Sequence, residues 1–357
     1  MLFSSLQCSG FRNLKKLNLD FNHQFVIFHG ENGSGKTSLL EALYFLSHAK
    51  SFRASSLKKL ICHDSESFSL FSYLVDGTRS IPLGIERDLS GKQKIRFDSE
   101  SIPSIGAVAQ SLPVQFLDTD AHRLLAGSPS NRRSFLDWGV FHVEHCFSDD
   151  WRSYQKVLKQ RNHLLKLGCG DEYVEPWTRQ LIEYGEKITA ARSNYVFIFG
   201  ETFSSLWKEL MPLFPVPELG FFKGWRDCSL EEALFSSMGQ DRRYGYTTCG
   251  PHRFDLKIEL DGRSVFDFFS QGQQKSLIYA LKVAQGLFLK NSSKKDVVYL
   301  IDDLPAELDE TRLGLVVEVL RSHAAQVFIT SIDNKFDFRG LEFDSVLYPI
   351  SGGSVIV

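Results

Sequence analysis

The sequence of 357 residues has little of several features that mark particular classes of protein. Its six cysteines are scattered without a C-x-x-C pair, which argues against a zinc site or a disulfide framework. None of its ten histidines belongs to an H-E-x-x-H metalloprotease motif. No apolar run approaches the roughly 18 residues of a membrane span, and the N-terminus alternates like a strand instead of resembling a signal peptide. We therefore expect a cytoplasmic protein without a membrane partner.

Excess charge of one sign is also missing. The formal net charge is −2, with 43% apolar and 24% charged residues, which is the composition of an ordinary globular protein. A nucleic-acid partner would therefore need a local basic surface. The chain has no internal repeat or low-complexity tail, and its length predicts one large domain or two smaller ones.

The strongest motif present is GENGSGKTS, which fits the phosphate-binding pattern G-x-x-x-x-G-K-[ST]. Its residues are Gly30, Glu31, Asn32, Gly33, Ser34, Gly35, Lys36, Thr37 and Ser38. An apolar strand-like run precedes it and a helical run follows, so that a helix N-terminus would face the anion. In such a cradle, backbone N–H groups surround the phosphates, Lys36 reaches the β- and γ-phosphates, and the Thr37 hydroxyl lies on Mg²⁺.

A second half of the site follows the apolar run Val297–Ile301, which ends in Asp302 and Asp303. The C-terminal end of a buried strand is the usual place for the magnesium-holding acid of a P-loop ATPase. We expect Asp302 to hold the ion and Asp303 to orient or deprotonate the attacking water.

A short loop, Ser270-Gln271-Gly272-Gln273-Gln274, precedes a helical run. A small hydroxyl, a glycine and a helix N-terminus all suit a γ-phosphate. The loop resembles the L-S-G-G-Q signature of ATP-binding-cassette enzymes, in which it acts in trans on the nucleotide of a partner. The resemblance implies that Ser270, Gln271, Gly272 and Gln273 form such a loop.

Two further segments resemble this superfamily in part. The run Pro305–Asp309 is similar to the loop that crosses the dimer interface beside the site. The strand-like run Val327–Ser331 ends in Thr330 and Ser331, where a histidine normally contacts the γ-phosphate. What replaces that histidine stays open, as does the effect of Asp303 in place of the usual glutamate.

The middle of the chain changes period. Apolar residues at helical spacing from Trp151 to Leu165 predict one helix, and a seam of alternating fours and threes predicts a second from Trp177 to Leu210. The seam residues are Trp177, Leu181, Tyr184, Ile188, Ala191, Tyr195 and Ile198. A turn at Gly168–Asp171 separates the two helices. We predict an α/β ATPase head formed by residues 1–120 and 245–357, with an inserted helical arm at 121–244.

Several runs match one family over nearly the whole chain. They are Phe11-Arg12-Asn13, Leu112–Leu117 with Gln115, Gly127-Ser128-Pro129, Arg132-Arg133, Phe135–Trp138, Thr247, Gly250–Arg253, Asp255-Leu256 and the Asp302-Asp303 pair. Together these residues resemble the RecF family of recombination-mediator ATPases, which is related to SMC-type proteins. The resemblance places Arg12 and Asn13 in the ATP site and gives Gln115 the role of the catalytic Q-loop glutamine.

The resemblance also implies a function. It implies an ABC/SMC-type head that binds ATP and Mg²⁺, dimerises when ATP binds, and hydrolyses ATP slowly to reset a switch. It further implies sequence-independent binding to duplex or gapped DNA, and cooperation with RecR and RecO in loading RecA at single-strand gaps during repair, replication and the SOS response. DNA-contacting residues stay open.

Alternative interpretations remain for the whole chain and for several residues. An ATPase subunit coupled to another machine, such as a transporter, is the second function class, although it predicts short insertions instead of a long arm. The run Asn334–Asp337 has the N-K-x-D form of guanine readers, but it lies too far from the cradle for a GTPase. Basic residues of the first arm helix fit a solvated face better than a DNA contact. They are Lys156, Lys159, Arg161 and Lys166.

Overall fold

The computed structural model describes residues 1–54, 56–117, 123–307, 309–332 and 344–356. The chain divides into two compact units. The first comprises Met1–Ala121 and Lys275–Val357, and the second, His122–Gln274, is inserted between these two segments.

The helices and strands follow in chain order. The first segment contains β1 (Leu2–Phe3), β2 (Ser5–Phe11), β3 (Leu14–Asp20), β4 (Phe25–His29), α1 (Lys36–His48), β5 (Ser67–Asp76), β6 (Arg79–Asp88), β7 (Gln93–Phe97), β8 (Glu100–Ile102), α2 (Gly106–Ser111) and β9 (Val114–Leu117). The inserted unit contains α3 (Arg123–Ala126), α4 (Pro129–Val143), α5 (Phe147–Lys166), α6 (Asp171–Leu210), β10 (Glu218–Phe222), α7 (Leu230–Ser236), α8 (Met238–Tyr244), β11 (Asp255–Leu260) and β12 (Arg263–Ser264). The remaining elements are α9 (Gln271–Ser293), β13 (Val298–Ile301), α10 (Leu304–Glu307), α11 (Glu310–His323), β14 (Gln326–Ser331), β15 (Ser345–Ser351) and β16 (Ser354–Val355).

A largely parallel sheet forms one layer of the first unit, in the order β16-β15-β4-β14-β13-β9. All its pairings are parallel except that of β16 with β15. The three central strands are buried almost throughout, as a parallel sheet covered on both faces requires. The predicted buried strands are therefore confirmed. Because parallel strands share one direction, the chain leaves β4, β13 and β14 at the same edge.

The second layer of this unit is an antiparallel sheet in the order β3-β2-β5-β6-β7-β8, with β1 on β5. A tight hairpin turn at Asp76-Gly77 joins β5 to β6, since Asp76 pairs with Arg79. Helix α1 shares the core with this sheet. Its Phe45 packs at 6.1 Å from Phe11 and 5.2 Å from Phe68 between ring centroids, and all three rings are buried. This packing fixes the C-terminal half of α1 against the antiparallel sheet.

Two long helices dominate the inserted unit, as predicted. Helix α6 has 40 residues and is about 60 Å long at about 1.5 Å per residue. It begins at Asp171, six positions before the predicted Trp177, and a turn at residues 167–170 connects it to α5. Pro176 lies in the second turn of α6, where it cannot donate to the carbonyl of Glu172, yet the helix continues past it.

The buried seam of α6 differs from the predicted one. Leu181, Ile188 and Tyr195 are buried as expected. The alternate positions are occupied by Thr178, Gly185, Arg192 and Phe199. The predicted Trp177, Tyr184 and Ala191 are only partly buried, and Ile198 is exposed. A pattern of apolar residues could not locate this seam, because two of its members are polar and one is a glycine.

Buried ion pairs explain the polar members of the seam. Arg161 and Asp241 are both fully buried, with a 2.8 Å bond between Nη1 and Oδ2. Arg161 also donates to the hydroxyls of Thr178 and Thr247, and the second oxygen of Asp241 accepts from Thr248. Such a pair is tolerated only when nearly every donor and acceptor has a partner.

Arg192 forms a second buried charged centre. Its guanidinium makes a bidentate pair with Asp137 at 2.8 and 2.9 Å and donates to the carbonyl of Pro251. It also lies 4.8 Å from the ring centroid of Trp151 and 5.2 Å from that of Phe254. The planar guanidinium therefore joins α6 to α4, to α5 and to the turn before β11.

Other family-specific residues of this unit are likewise engaged in structural contacts. Arg132 makes a bidentate pair with Asp255, and Arg133 donates to the carbonyl of Phe254. His252 bonds the Tyr154 hydroxyl through Nδ1 and the Thr247 carbonyl through Nε2. Burial lowers the pKa of His252 to about 4. These motifs thus bind to one another within the inserted unit.

The boundary at the C-terminal end of the inserted unit differs from the prediction. The prediction placed it between residues 244 and 245. Residues 245–274 belong to the inserted unit, because β11 pairs with β10 in register from Glu218↔Glu259 to Phe222↔Asp255. Strand β11 follows the helices of this unit in sequence and completes the small sheet β10-β11-β12. Across the described residues, no helix is both long and apolar enough to cross a membrane.

The Arg161–Asp241 pair leads to a stability prediction. Replacing Arg161 with methionine leaves a buried carboxylate without its partner, so we expect the inserted unit to lose about 3–5 kcal/mol of unfolding free energy. All five tryptophans lie in this unit (Trp138, Trp151, Trp177, Trp207 and Trp225), so tryptophan fluorescence during urea unfolding reports on it. Replacing the exposed Arg179 with methionine is the matched control and should leave the midpoint nearly unchanged. Equal midpoints for both variants would contradict the assignment.

Candidate functional site

A cleft of about 520 Å³ lies where β4, β13 and β14 end in the first unit. Strand register determines which residues meet there. Thr330 pairs with Phe28 of β4, and Ile329 pairs with Ile301 of β13. The residues just after β13 therefore lie beside the end of β14, and the predicted phosphate-binding loop starts on the other side of β14.

Most of the predicted ATP-site residues line this cleft. They are Arg12, Asn13, Asn32, Gly33, Gly35, Lys36, Thr37, Ser38, Asp302 and Asp303. Gly30, Glu31 and Ser34 belong to the loop but are not among the lining residues. Gly30 allows the loop to pass close to Ile350. Its φ is 151°, and a Cβ at this position would lie 2.2 Å from the carbonyl oxygen of Ile350. Only glycine allows this close approach.

Lys36 is held by its own loop. Its ammonium donates to the carbonyls of Gly30 at 2.6 Å and Glu31 at 2.9 Å. Burial lowers the pKa of Lys36, and the carboxylates of Asp303 and Asp302 act in the opposite direction. An ammonium has three donors, so this arrangement leaves one for a ligand.

Asp302 is the centre of a hydrogen-bond network that joins three segments. The Thr37 hydroxyl lies 3.0 and 3.2 Å from its two oxygens, and the Thr330 hydroxyl donates to Oδ1 at 2.6 Å. Thr330 also accepts from the backbone N–H of Asp303 at 2.8 Å. Thr330 is fully buried at the end of β14, in the segment where the sequence has Thr330 and Ser331 in place of a histidine. In this structure its hydroxyl orients Asp302 and fixes the backbone of Asp303.

Asp303 has a left-handed backbone, with φ at 54°. Among residues other than glycine, aspartate and asparagine adopt this conformation most readily. A glutamate at this position would be more strained. The backbone conformation gives a physical reason for the departure from the usual glutamate that the sequence shows.

Arg12 and Asn13 border the cleft but also make contacts within the protein. Arg12 forms a bidentate pair with the buried Glu41 at 2.7 and 2.8 Å and donates to the carbonyl of Lys59 at 2.6 Å. Asn13 accepts from the Ser38 hydroxyl at 2.7 Å. The sequence analysis did not identify Glu41, because a single acid within an apolar helix gives no motif.

The cleft is also lined by residues that sequence reasoning missed. They are Arg53, Lys59, Ile61 and Ile332, in addition to Thr330. Arg53 and Lys59, together with Lys36, bring three cationic side chains to the cleft against the carboxylates of Asp302 and Asp303, whereas the charge of Arg12 is paired with Glu41. No spacing or composition signal marked the two additional cations. The balance of charge favours an anion accompanied by a divalent cation.

The structure places Gln115 elsewhere than predicted. It is buried in β9, two residues before the strand ends, and donates to the side chain of Gln285 of α9 at 2.9 Å. It is not among the residues that line the cleft. Its amide is instead engaged by a residue of α9 within the first unit. We therefore omit Gln115 from the catalytic residues proposed below.

The signature-like residues lie at the start of α9 and are not among the cleft-lining residues of this chain. Ser270 caps the helix: its hydroxyl accepts from the N–H of Gln273 at 3.3 Å, and the Gln273 side chain accepts from the N–H of Ser270 at 2.7 Å. This is a capping box. Ser270 and Gln271 are exposed, and Gly272 and Gln273 are half-buried.

The donor set fits a nucleotide with Mg²⁺. Helix α1 has no side-chain cap bond at Gly35 and no acid in its first turn, so its N-terminal N–H groups and positive dipole are available to phosphates. A hydroxyl and a carboxylate at 3.0 Å, from Thr37 and Asp302, are the hard oxygen ligands that Mg²⁺ prefers. The run Asn334–Asp337 lies outside the described residues.

Comparison with known proteins agrees with this geometry. A sequence model described as the RecF/RecN/SMC N terminal domain matches residues 2–343. The DNA replication and repair protein RecF of Coxiella burnetii (strain RSA 493 / Nine Mile phase I) is 40% identical over 331 residues, covering 92% of each chain. The RecF protein of Psychromonas ingrahamii is 35% identical over the full length of both chains. The chain belongs to the RecF family.

Solved RecF structures share the fold. A structure titled as the recombination mediator protein RecF with ATPrS in the RecFOR pathway superimposes with a TM-score of 0.87 at 27% identity, covering 99% of this chain and 97% of that one. The predicted fold, an ABC/SMC-type ATPase head of the RecF family, is therefore confirmed.

The Thr330 network yields a prediction about local structure. Valine at this position has nearly the same shape but no hydroxyl, so the N–H of Asp303 and one oxygen of Asp302 lose a partner, at a cost of about 1–3 kcal/mol. Hydrogen–deuterium exchange should then accelerate in the segment 300–305, whereas Thr330→Ser, which keeps the hydroxyl, should retain protection. Unchanged exchange in the valine variant would show that the network does not order this turn.

Proposed function

We propose that this chain is an ATP-dependent switch in DNA repair and replication, in which ATP binding drives dimerisation on DNA and slow hydrolysis reverses it. The observation that carries the proposal is the contact between Thr37 and Asp302, 3.0 Å apart at the edge of the parallel sheet. It joins the phosphate-binding loop to the acid of the second motif. Relatives named DNA replication and repair protein, and solved RecF–ATP structures, support the same interpretation.

Each side chain has a distinct role in the proposed site. The N–H groups at the start of α1 and the remaining donor of Lys36 bind the β- and γ-phosphates. Thr37 and Asp302 would hold Mg²⁺, which neutralises phosphate charge during phosphoryl transfer. Thr330 keeps the Asp302 carboxylate in position. Asp303 orients the attacking water and accepts its proton.

We infer slow hydrolysis from the length of the Asp303 side chain and the conformation of its backbone. Its side chain is one methylene shorter than the usual glutamate, so it reaches less far towards a water. Its backbone conformation, favourable for aspartate, makes a longer acid unfavourable at this position. A slow chemical step suits a switch, because the ATP-bound state then lasts long enough to act on DNA.

Dimerisation is proposed from the exposure of the signature-like loop. Ser270 and Gln271 stand at the N-terminus of a 23-residue helix. Their side chains and the first N–H groups of α9 suit the γ-phosphate of a second copy. The nucleotide would then be part of the interface, and its hydrolysis would weaken it.

The proposed partners follow from family membership. We propose that the dimer binds duplex or gapped DNA without sequence preference and acts with RecR and RecO to load RecA at single-strand gaps. A transporter-type ATPase remains the alternative function. No described feature favours it, whereas the family membership and the long α5–α6 pair favour the DNA-repair function.

The first test concerns the nucleotide. Lys36→Met removes the ammonium that the loop holds towards the phosphates, at a cost of about 2–5 kcal/mol, or roughly 30-fold or more in ATP affinity. A fluorescent ATP analogue measures this directly, with Lys50→Met, an exposed cation outside the cleft, as the control. A folded Lys36→Met protein with wild-type affinity would remove the basis of the assignment.

The second test separates the ATP-driven dimerisation from the hydrolysis that reverses it. Ser270→Arg should bind ATP yet stay monomeric, because the loop belongs to the interface. Asp303→Asn should accumulate as an ATP-bound dimer, since asparagine keeps the backbone conformation while the chemical step slows by about 10²–10⁴-fold. Size-exclusion chromatography with ATP distinguishes the two variants.

A matched control is available for the loss of the helix cap. Ser229 forms the same type of capping box on α7, with its hydroxyl accepting from Glu232 N at 3.1 Å. Ser229→Arg should therefore lose a comparable cap but still dimerise. If Ser270→Arg and Asp303→Asn behave alike, the loop and the carboxylate do not have these separate roles.

A further inference from the structure

Helix α5 carries a row of basic side chains along one face of the inserted unit. We call Lys156, Lys159, His163 and Lys166 the basic stripe. Their spacing of three, four and three residues places them on one side of a helix. All four side chains are exposed. The stripe extends about 15 Å along the axis at about 1.5 Å per residue.

The lysines of the stripe have no ion-pair partner in the part of the chain that the structure describes. On α6, by contrast, Arg179 pairs with Glu175 at 2.6 Å and Lys187 with Glu183 at 2.8 Å. Solvated helix faces usually alternate charges in this way. The stripe instead combines three ammonium groups whose mutual repulsion is not offset by an ion pair with any described residue.

The structure also shows that Arg161 does not belong with these lysines, although the sequence analysis grouped them. Arg161 lies on the opposite, buried side of α5 with Tyr154, Val157 and Leu165, and bonds Asp241. The remaining cations therefore form one narrow row and are not spread around the solvent side. The interpretation of this helix as a merely solvated face is weakened accordingly.

A groove of about 720 Å³ follows the stripe. Its lining residues are Gln155, Lys156, Leu158, Lys159, Asn162, His163 and Lys166. None of these is acidic, and the amides add neutral polar groups of the kind that contact phosphate and sugar.

The stripe continues into a pair of exposed aromatic side chains. Gly245 lies against Lys166, since a Cβ on Gly245 would be 3.1 Å from Lys166 Cγ. The flanking Tyr244 and Tyr246 are 49% and 41% exposed and stack with their ring centroids 5.7 Å apart. Tyrosine hydroxyls donate to phosphate oxygens, and exposed rings beside basic groups are typical of nucleic-acid surfaces.

We propose that the basic stripe binds the phosphate backbone of DNA. The proposal rests on the proposed function and assigns to it a DNA-contacting surface. Stable protein interfaces are depleted in lysine, whereas three of the four residues of the stripe are lysines. Unpaired lysines in a row suit phosphates, which carry one charge per roughly 3.4 Å of duplex axis on each strand. The length of the stripe spans about four of these phosphates.

The test neutralises the three lysines together. The variant Lys156→Gln/Lys159→Gln/Lys166→Gln is compared with Arg179→Gln/Lys187→Gln/Lys208→Gln, which removes the same charge from exposed positions of α6. Fluorescence anisotropy with a 30-base-pair duplex (a length of about three helical turns) and ATP is repeated over a range of NaCl concentrations. Binding of a fluorescent ATP analogue is measured on the same samples.

We expect the stripe variant to bind ATP normally and duplex more weakly. The slope of log K against log[NaCl] should fall by about 0.9 for each phosphate that the variant no longer neutralises, while the control keeps the wild-type slope. If wild type binds duplex and the stripe variant matches it in affinity and slope, the assignment of the stripe as a DNA-binding surface is overturned, while the proposed function stands. If wild type binds ATP but no duplex at any salt concentration, the DNA-binding part of the proposed function fails as well.

A second titration tests whether the stripe binds an acidic protein instead of DNA. Poly-glutamate is titrated against wild type and the stripe variant under the same conditions. Loss of poly-glutamate binding in the variant, with duplex binding unchanged, would assign the stripe to an acidic protein and overturn the DNA assignment.

Discussion

The position of one carboxylate determines the arrangement of the site. Asp302 is held on one side by Thr37 from the phosphate-binding loop and on the other by Thr330 from β14. These residues are far apart in sequence, and only the register of the parallel strands brings them together. A shift of one residue in β14 would point Thr330 to the other face of the sheet and leave Asp302 without this donor. The buried strands therefore specify the geometry of the site as well as the stability of the first unit.

The inserted unit is stabilised differently. Its helices enclose two charged centres, Arg161 with Asp241 and Arg192 with Asp137, in place of a purely apolar seam. Hydrogen bonds from neighbouring threonines and carbonyls compensate the desolvation of these charges. Because Arg161 points inward, the exposed basic side chains from residue 156 to the end of α5 form a single row, Lys156, Lys159, His163 and Lys166. The same helix thus combines a demanding buried network with a surface suited to an anionic polymer.

Much of this architecture could be predicted from the sequence, because it depends on local patterns. The run before Gly30 and the run ending at Asp302 are continuous apolar strands with flanking motifs, and the structure places both motifs in one cleft. Positions set by tertiary pairing could not be predicted. Gln115 fits a motif by sequence but bonds Gln285 in the core, and the hydroxyl of Thr330 contacts Asp302 and Asp303 only in the folded chain. The seam of α6 could not be predicted from the sequence, because it includes a buried arginine and a buried threonine whose bonding partners are distant in sequence.

The central claim is that nucleotide in this cleft controls self-association. The cleft is lined by cationic side chains and by the oxygen pair of Thr37 and Asp302, and we propose that the exposed helix N-terminus at Ser270 contacts the nucleotide of a second copy. Light scattering coupled to chromatography, on the wild-type protein with Mg²⁺ and either ATP or ADP, tests this most directly. We expect the mass of the 40.6 kDa chain with ADP and twice that mass with ATP. The same mass in both nucleotides, with ATP shown to be bound, would contradict the account.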